Sequence, residues 1–255
     1  MHFSLIRLRR DLTPREIVSL GRSDGYKLHK MVWDIFSDGP DRKRDFLYRF
    51  EKINGLPTYY TVSEREPNDP TELWEINTKP YVPKFSQGDQ LVFKLRVNPI
   101  QSAKRERTAE ELEIWHKSRA ERELKPSKSM EKGWTEKVIR HDVVMEAKTK
   151  IDFKNLIEEQ RPHVATLIQD AGLEWLTSRE KEYGFSVVQS GTRADGYCQH
   201  RLFKGKSAKP VIFSTLEFDG VLTVTDPNSF IEKALFNGIG PAKGFGCGLM
   251  LVRRV

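Results

Sequence analysis

A tyrosine and a histidine stand three residues apart in a segment with a helical hydrophobic pattern. The apolar stripe of the segment Tyr26–Phe36 comprises Leu28, Met31, Val32 and Ile35. At about 100° per residue, Tyr26 and His29 share a different face, where a spacing of three brings their side chains together. Histidine exchanges protons near neutral pH, and an adjacent tyrosine can donate a proton or a hydrogen bond. With nearby lysines, such a pair could catalyse metal-free attack of an RNA 2′-hydroxyl on its phosphodiester. An ordinary role for both residues in a partly buried helix is the alternative, and the residues alone leave it open.

The sequence predicts neither a metal centre nor a cofactor. None of the six histidines is paired at a spacing that suits metal ligands on a helix, and the two cysteines are Cys198 and Cys247. A metal-dependent nuclease is therefore disfavoured. Two cysteines make no disulfide framework, which favours a reducing, cytoplasmic location.

Basic residues cluster between positions 193 and 209. They are Arg193, Arg201, Lys204, Lys206 and Lys209, with aromatic residues interleaved and Asp195 as the one acidic residue. Gly205 lies where a hairpin tip is expected. Such a basic hairpin could bind the phosphates or a groove of structured RNA. Lysines that protect an exposed strand edge from aggregation are the alternative.

Five glycines fall within the eleven residues from Gly238 to Gly248, with Lys243 among them. Asp226 and Pro227 predict the start of a helix before this loop, and a short apolar run follows it. The loop therefore leaves a helix and enters a strand, which is the reverse of a P-loop or a dinucleotide fingerprint. A phosphate cradle and a tight structural turn both remain open.

The predicted elements indicate an α+β fold. Strands are expected at Phe3–Leu8, Asp45–Glu51, Leu56–Val62, Gln90–Val97, Val138–Val144, Gly184–Ser190, Gly196–Lys206, Val211–Phe218, Val221–Val224 and near Leu249. Residues 1–100 then form one ferredoxin-like module that contains the His29 helix. Residues 101–136 are a charged insertion or linker that includes a helix over Thr108–Leu124. Residues 137–255 form a second module of similar plan with the hairpin and the glycine-rich loop.

The overall charge favours a polyanionic partner. The net charge is +7, with a sequence pI of about 9.3. Positive charge of this kind attracts nucleic acid through electrostatics and counterion release. No stretch approaches the roughly twenty apolar residues of a membrane span, so no membrane association is expected.

Five segments, in order along the chain, resemble the CasE family, the CRISPR RNA-processing endoribonucleases of the type I-E Cascade complex. The most specific is the glycine-rich run Gly238–Leu249. The other four are Tyr26–Trp33, Arg44–Glu51, Leu95–Ile100 and Phe218–Val224. The resemblance spans nearly the whole chain apart from residues 101–180.

This resemblance implies a fold, a reaction and partners. The fold is two tandem ferredoxin-like (RAMP/RRM-like) domains with antiparallel sheets. The reaction is metal-independent cleavage of CRISPR repeat RNA on the 3′ side of its stem-loop, leaving a 2′,3′-cyclic phosphate and a 5′-hydroxyl. The processed RNA stays bound, and the protein joins the other Cascade subunits. A non-catalytic subunit that holds the RNA stem-loop is the alternative.

The resemblance also assigns roles to residues. His29 matches the family's catalytic histidine, and Tyr26 matches a tyrosine beside it in some members. Apart from the resemblance, we hypothesise that a lysine stabilises the transition state, with Lys27, Lys30 and Lys243 as the candidates. The hairpin of Arg201–Lys209 falls where relatives place a basic hairpin at the base of the RNA stem.

Overall fold

A computed structural model of the protein describes residues 1–9, 11–13, 31–36, 44–121, 136–203 and 209–255. These residues form two main antiparallel sheets with helices packed on them. The predicted α+β class is therefore confirmed.

The first sheet has four strands in the order β2-β3-β1-β4. They are β1 (His2–Leu8), β2 (Phe46–Ile53), β3 (Leu56–Ser63) and β4 (Trp74–Pro80). Helix α1, described over residues 31–35, packs on one face through Val32 and Ile35. The sequence did not predict β4, because its apolar pattern is confined to Trp74 and Ile76. It forms by pairing along the free edge of β1.

The second sheet has the order β11-β5-β10-β8, and β9 pairs with β10 next to β8. Its strands are β5 (Gln90–Val97), β8 (Phe185–Val187), β9 (Arg193–Leu202), β10 (Val211–Val224) and β11 (Met250–Arg254). The two strands predicted at 211–218 and 221–224 are one continuous strand. Position 220 in the middle of this strand requires a glycine, because Thr192 and the carbonyl of Gly191 occupy the space where a Cβ would stand.

Strand β5 differs from the predicted grouping. Sequence analysis placed Gln90–Val97 in the first module, whereas the strand hydrogen-bonds between β10 and β11 at the centre of the second sheet. Its alternate residues Leu91, Phe93, Leu95 and Val97 are at most 1% exposed. The alternation predicts the strand's bounds but contains no information about which sheet it joins.

The region predicted as a charged insertion contains a strand ribbon and a helix. Strands β6 (Ile100–Glu106) and β7 (Glu136–Asp142) pair over their full length, and α2 (Ala109–Glu121) lies between them in sequence. The Glu111 carboxylate of α2 pairs with Arg105 and Lys137, both at 2.6 Å, and so joins the helix to both strands. The strand predicted at Val138–Val144 ends early, because Asp142 accepts hydrogen bonds from two backbone N–H groups and caps α3 (Val143–Lys150).

The remaining helices cover or follow the second sheet. They are α4 (Val164–Thr177), α5 (Glu180–Tyr183) and α6 (Pro227–Ser229), which runs on into a π-helical turn over Phe230–Phe236. Asp226 caps α6 with Pro227 at its first position, as predicted.

Both sheets follow the ferredoxin-like order, in which the first and third strands lie in the centre. In the second module the elements of this fold are, in chain order, β5, α4, β9, β10, the 227–236 helix and β11. A small cluster of Leu47, Val62 and Leu249 joins the two sheets. Since Leu249 directly follows the glycine-rich loop, the loop lies at the junction of the sheets.

Candidate nucleic-acid interface

The glycine-rich loop has a folded backbone that few side chains would permit. Gly238, Gly240, Gly246 and Gly248 have φ between 77° and 93°, and Ala242 has φ of 58°. The loop is closed by a hydrogen bond from Ile239 N to the Gly248 carbonyl at 3.0 Å. The Gly248 N–H donates to the carbonyl of Arg96 on β5 at 2.7 Å. The loop is therefore a rigid turn tied to the second sheet.

The glycines also allow close approach to neighbouring elements. A Cβ on Gly238 would stand 2.8 Å from Leu47 of β2, and one on Gly246 would stand 3.1 Å from Tyr48. On the other side, a Cβ on Gly240 would meet the Trp175 indole at 3.3 Å. The loop is packed between β2 of the first sheet and α4 of the second module. It connects a helix to a strand, as the sequence predicted.

Lys243 lies on the side of the loop that faces the first sheet. It lines a cavity of about 260 Å³ together with residues from the start of β2, including Arg44 and Phe46. Burial first, and then the positive charge of Arg44, lower the pKa of Lys243. Phe46 stacks on Phe36 of the α1 segment with ring centroids 4.2 Å apart. The cavity thus adjoins the strand that supports α1.

The β9–β10 hairpin carries two of the predicted basic residues near its tip. Arg201 and Lys209 are both exposed and flank residues 204–208. The Arg201 guanidinium lies 5.6 Å from the ring centroid of Phe203. The structure therefore brings Arg201 and Lys209 to one end of the hairpin.

Arg193 lies apart from that end. Eight residue steps along the strand separate it from Arg201, which is roughly 26 Å at about 3.3 Å per residue. It also pairs with Asp195 at 3.0 Å and approaches Asp219 at 4.0 Å. A β-bulge at Gly196, whose φ is 62°, lies between the two arginines. It interrupts the regular alternation of side chains between the two faces of the sheet. The predicted basic cluster is thus divided, and Arg193 lies beside two carboxylates away from Arg201 and Lys209.

An aromatic stack joins the hairpin to the glycine-rich loop. His200 and Phe213 pair across the hairpin with ring centroids 4.8 Å apart, and Phe245 of the loop stacks on Phe213 at the same distance. The His200 ring also hydrogen-bonds the Thr215 hydroxyl at 2.9 Å. Sequence reasoning missed this stack, because its three rings come from three separate segments.

An ion-pair network connects the two sheets beside this stack. Arg49 of β2 is 5% exposed and donates to Glu51 at 2.8 Å and to Glu217 of β10 at 2.9 Å. Arg96 of β5 also donates to Glu217. Between the sheets lies a cleft of about 390 Å³ lined largely by aromatic rings. The network fixes the orientation of the hairpin sheet relative to β2.

Several predicted site residues lie outside the described residues. They are Tyr26, Lys27, His29, Lys30, Lys204 and Lys206. Of the predicted catalytic helix, residues 31–35 are described and helical. Trp33 contacts Phe46 edge-on at 5.3 Å, so this end of the helix packs on β2.

Within the described ranges, no three His, Cys, Asp or Glu side chains are grouped to hold a metal ion. In the same ranges, no helix has the length and apolar character that a membrane crossing requires.

Comparison with known proteins identifies the class of protein. A family model described as "CRISPR associated protein" matches residues 1–254. The chain therefore belongs to this family of CRISPR-associated proteins.

Individual relatives support the resemblance to the CasE family that the sequence motifs indicated. The chain is 27% identical over 230 residues to the CRISPR system Cascade subunit CasE of Escherichia coli strain K12, covering 89% of this chain and 90% of CasE. Its fold is similar to that of CRISPR endoribonuclease Cse3 bound to a 19 nt RNA, with a TM-score of 0.60, 18% identity and coverage of 99% and 100% of the two chains. The crystal structure of Cas6e from E. coli strain K-12 gives a TM-score of 0.52 at 22% identity, with both chains fully covered. The predicted CasE-like, tandem ferredoxin-like fold is confirmed.

Proposed function

We propose that this protein is an endoribonuclease that binds the stem-loop of CRISPR repeat RNA and cleaves the precursor on its 3′ side. One observation carries the proposal. The fold of an RNA-bound CRISPR endoribonuclease covers 99% of this chain. The similarity to CasE over 89% of the chain supports the same substrate and a place as a Cascade subunit.

The proposed reaction is a transesterification within the RNA. The 2′-hydroxyl loses its proton and its oxygen attacks the adjacent phosphorus. The bond from phosphorus to the 5′-oxygen breaks, and that oxygen gains a proton. The products are a 2′,3′-cyclic phosphate and a 5′-hydroxyl, and no metal ion takes part.

In this proposal His29 transfers the proton of the 2′-hydroxyl or of the leaving group, with Tyr26 as its partner. One of Lys27, Lys30 and Lys243 stabilises the charge that develops on the phosphoryl oxygens. Among these lysines, Lys243 has a described position, on a rigid loop against β2. A preorganised cation of this kind stabilises the transition state without a cost of reorganisation.

RNA recognition in this proposal rests on the hairpin. Arg201 and Lys209, with Lys204 and Lys206 between them in the sequence, contact the phosphates at the base of the stem. Arg193, at the other end of the hairpin and paired with Asp195, would contact a different part of the RNA. The processed RNA stays bound, and the protein then acts in the cytoplasm with the other Cascade subunits.

Substitution of His29 separates the proposed enzyme from a non-catalytic binding subunit. We expect His29→Ala to slow single-turnover cleavage of the repeat RNA by about 10²-fold or more, with its affinity for RNA largely kept. Tyr26→Phe tests the partner role by the same assay. Tight RNA binding without cleavage by the wild-type protein would instead establish the non-catalytic subunit. Cleavage by His29→Ala at the wild-type rate would remove His29 from the mechanism.

A further inference from the structure

We infer that Arg44 and Lys243 together form a binding site for one phosphate of the RNA. The inference rests on the proposed function and adds Arg44 to it.

The two side chains come from distant parts of the sequence and line one cavity. Arg44 stands two residues before the start of β2, and Lys243 lies in the glycine-rich loop. The rigid turn around Gly238 and Gly246 leaves the loop against Leu47 and Tyr48 of the same strand. The fold therefore places both cations in the lining of one cavity.

Neither cation forms an ion pair within the described residues, although three carboxylates line the same cavity. Ion pairs are common elsewhere on this surface. Asp45, the nearest acidic residue in sequence, pairs with Arg65 at 2.7 Å. Glu64 and Glu232 also line the cavity, but neither carboxylate lies within ion-pair distance of Arg44 or Lys243.

The positive charge of Arg44 acts on Lys243 in the free protein. Burial lowers the pKa of Arg44, and burial together with Arg44 lowers that of Lys243. Arg44 is exposed and Lys243 is half-buried, so a phosphodiester could reach both cations and offset their mutual repulsion. Arginine also suits a phosphate, since its planar donors match two phosphate oxygens.

The location suits the reaction as well. Phe46, two residues after Arg44, packs against Trp33 and Phe36 of the α1 segment. This segment belongs to the helix that the sequence predicts over Tyr26–Phe36 and that contains His29. A phosphate held at the cavity would lie along the edge of the sheet that supports the helix.

Salt dependence of RNA affinity is the main test. Removal of one phosphate-binding cation should reduce the slope of log affinity against log salt by about one. We expect this reduction for Arg44→Gln and for Lys243→Gln, with Arg44→Lys close to wild type. Lys52→Gln, at the far end of β2, is the matched control and should leave the slope unchanged. A wild-type slope in both Arg44→Gln and Lys243→Gln would overturn the site.

Two further measurements distinguish a phosphate site from a merely structural role. The free Arg44→Gln protein should melt at or above the wild-type temperature, because the variant removes an exposed cation that has no ion pair within the described residues. A lower melting temperature combined with a wild-type salt slope would contradict the inference. A series of repeat RNAs, each with one phosphate replaced by a neutral methylphosphonate, locates the contact. At a single position, the modified RNA should bind the Arg44→Gln protein as tightly as it binds wild type. Weakening at every position would contradict a one-phosphate site.

The inference and the proposed function fail in different ways. If the wild-type protein neither binds nor cleaves repeat RNA, the proposed function is wrong. If wild type cleaves and both glutamine variants cleave and bind as well as it does, the function stands and the Arg44–Lys243 site is wrong.

Discussion

The Tyr48 hydroxyl of β2 donates a hydrogen bond to the carbonyl oxygen of Gly244 at 2.9 Å. This bond links the first sheet to the glycine-rich loop of the second module. Tyr48 is 3% exposed, and burial raises its pKa far above the ordinary value. The hydroxyl is therefore a neutral donor throughout the pH range of any RNA assay.

Tyr48→Phe should loosen this link without creating a cavity. We expect a loss of about 1 kcal/mol in the free energy of unfolding, since the carbonyl of Gly244 loses a partner. Denaturant titration measures the loss. The single-turnover cleavage rate should also fall, because Lys243 adjoins the released carbonyl. Unchanged stability and an unchanged rate would show that the bond does not hold the loop.

Gly238 and Gly55 form a matched pair for the close packing of the loop. Both have φ near 78°, but a Cβ on Gly55 meets nothing within 4 Å, whereas one on Gly238 would stand 2.8 Å from Leu47 and 2.9 Å from the Gly248 carbonyl. Gly55→Ala should therefore cost about 1 kcal/mol from backbone strain alone. Gly238→Ala should cost at least about 2 kcal/mol, because the overlap with the first sheet adds to that strain. Equal losses in denaturant titrations would mean that the loop can move away from β2.

The strands show how far a single sequence predicts this fold. The alternation in Gln90–Val97 predicts β5 with its observed bounds, because every second side chain is buried. Its place in the second sheet follows from hydrogen bonds to β10 and β11, more than a hundred residues away in the chain. Local pattern contains no information about such pairing.

The candidate site, like the fold, could be predicted from the sequence only in part. The Gly238–Gly248 run predicts a tight turn, because positive φ and close approach both favour glycine. The stack of His200, Phe213 and Phe245 and the Arg44–Lys243 pair depend on segments that meet only in the folded chain. Neither could be found from spacing along the sequence.

His200 should make stability depend on pH. Burial first, and then the positive charge of Arg96, lower the pKa of His200 below its ordinary value of 6.5. Folding therefore disfavours the protonated ring, so this contribution to stability is complete above about pH 6.5 and is lost as the pH falls through the lowered value. His200→Phe keeps a ring on Phe213 but cannot titrate. Its melting temperature should fall less than that of wild type between pH 7.5 and pH 5.5. Parallel declines in the two proteins would exclude His200 as the titrating group.

We propose above all that this CRISPR-associated protein cuts RNA with the RNA's own 2′-hydroxyl and without a metal ion. The most direct measurement is cleavage of the cognate repeat RNA in EDTA, beside the same RNA with a 2′-deoxy sugar at the cleaved nucleotide. We predict that the unmodified RNA is cut to a 2′,3′-cyclic phosphate and a 5′-hydroxyl, and that the deoxy RNA is bound but left intact. Cleavage of the deoxy RNA, or cleavage that requires an added divalent metal, would contradict the claim.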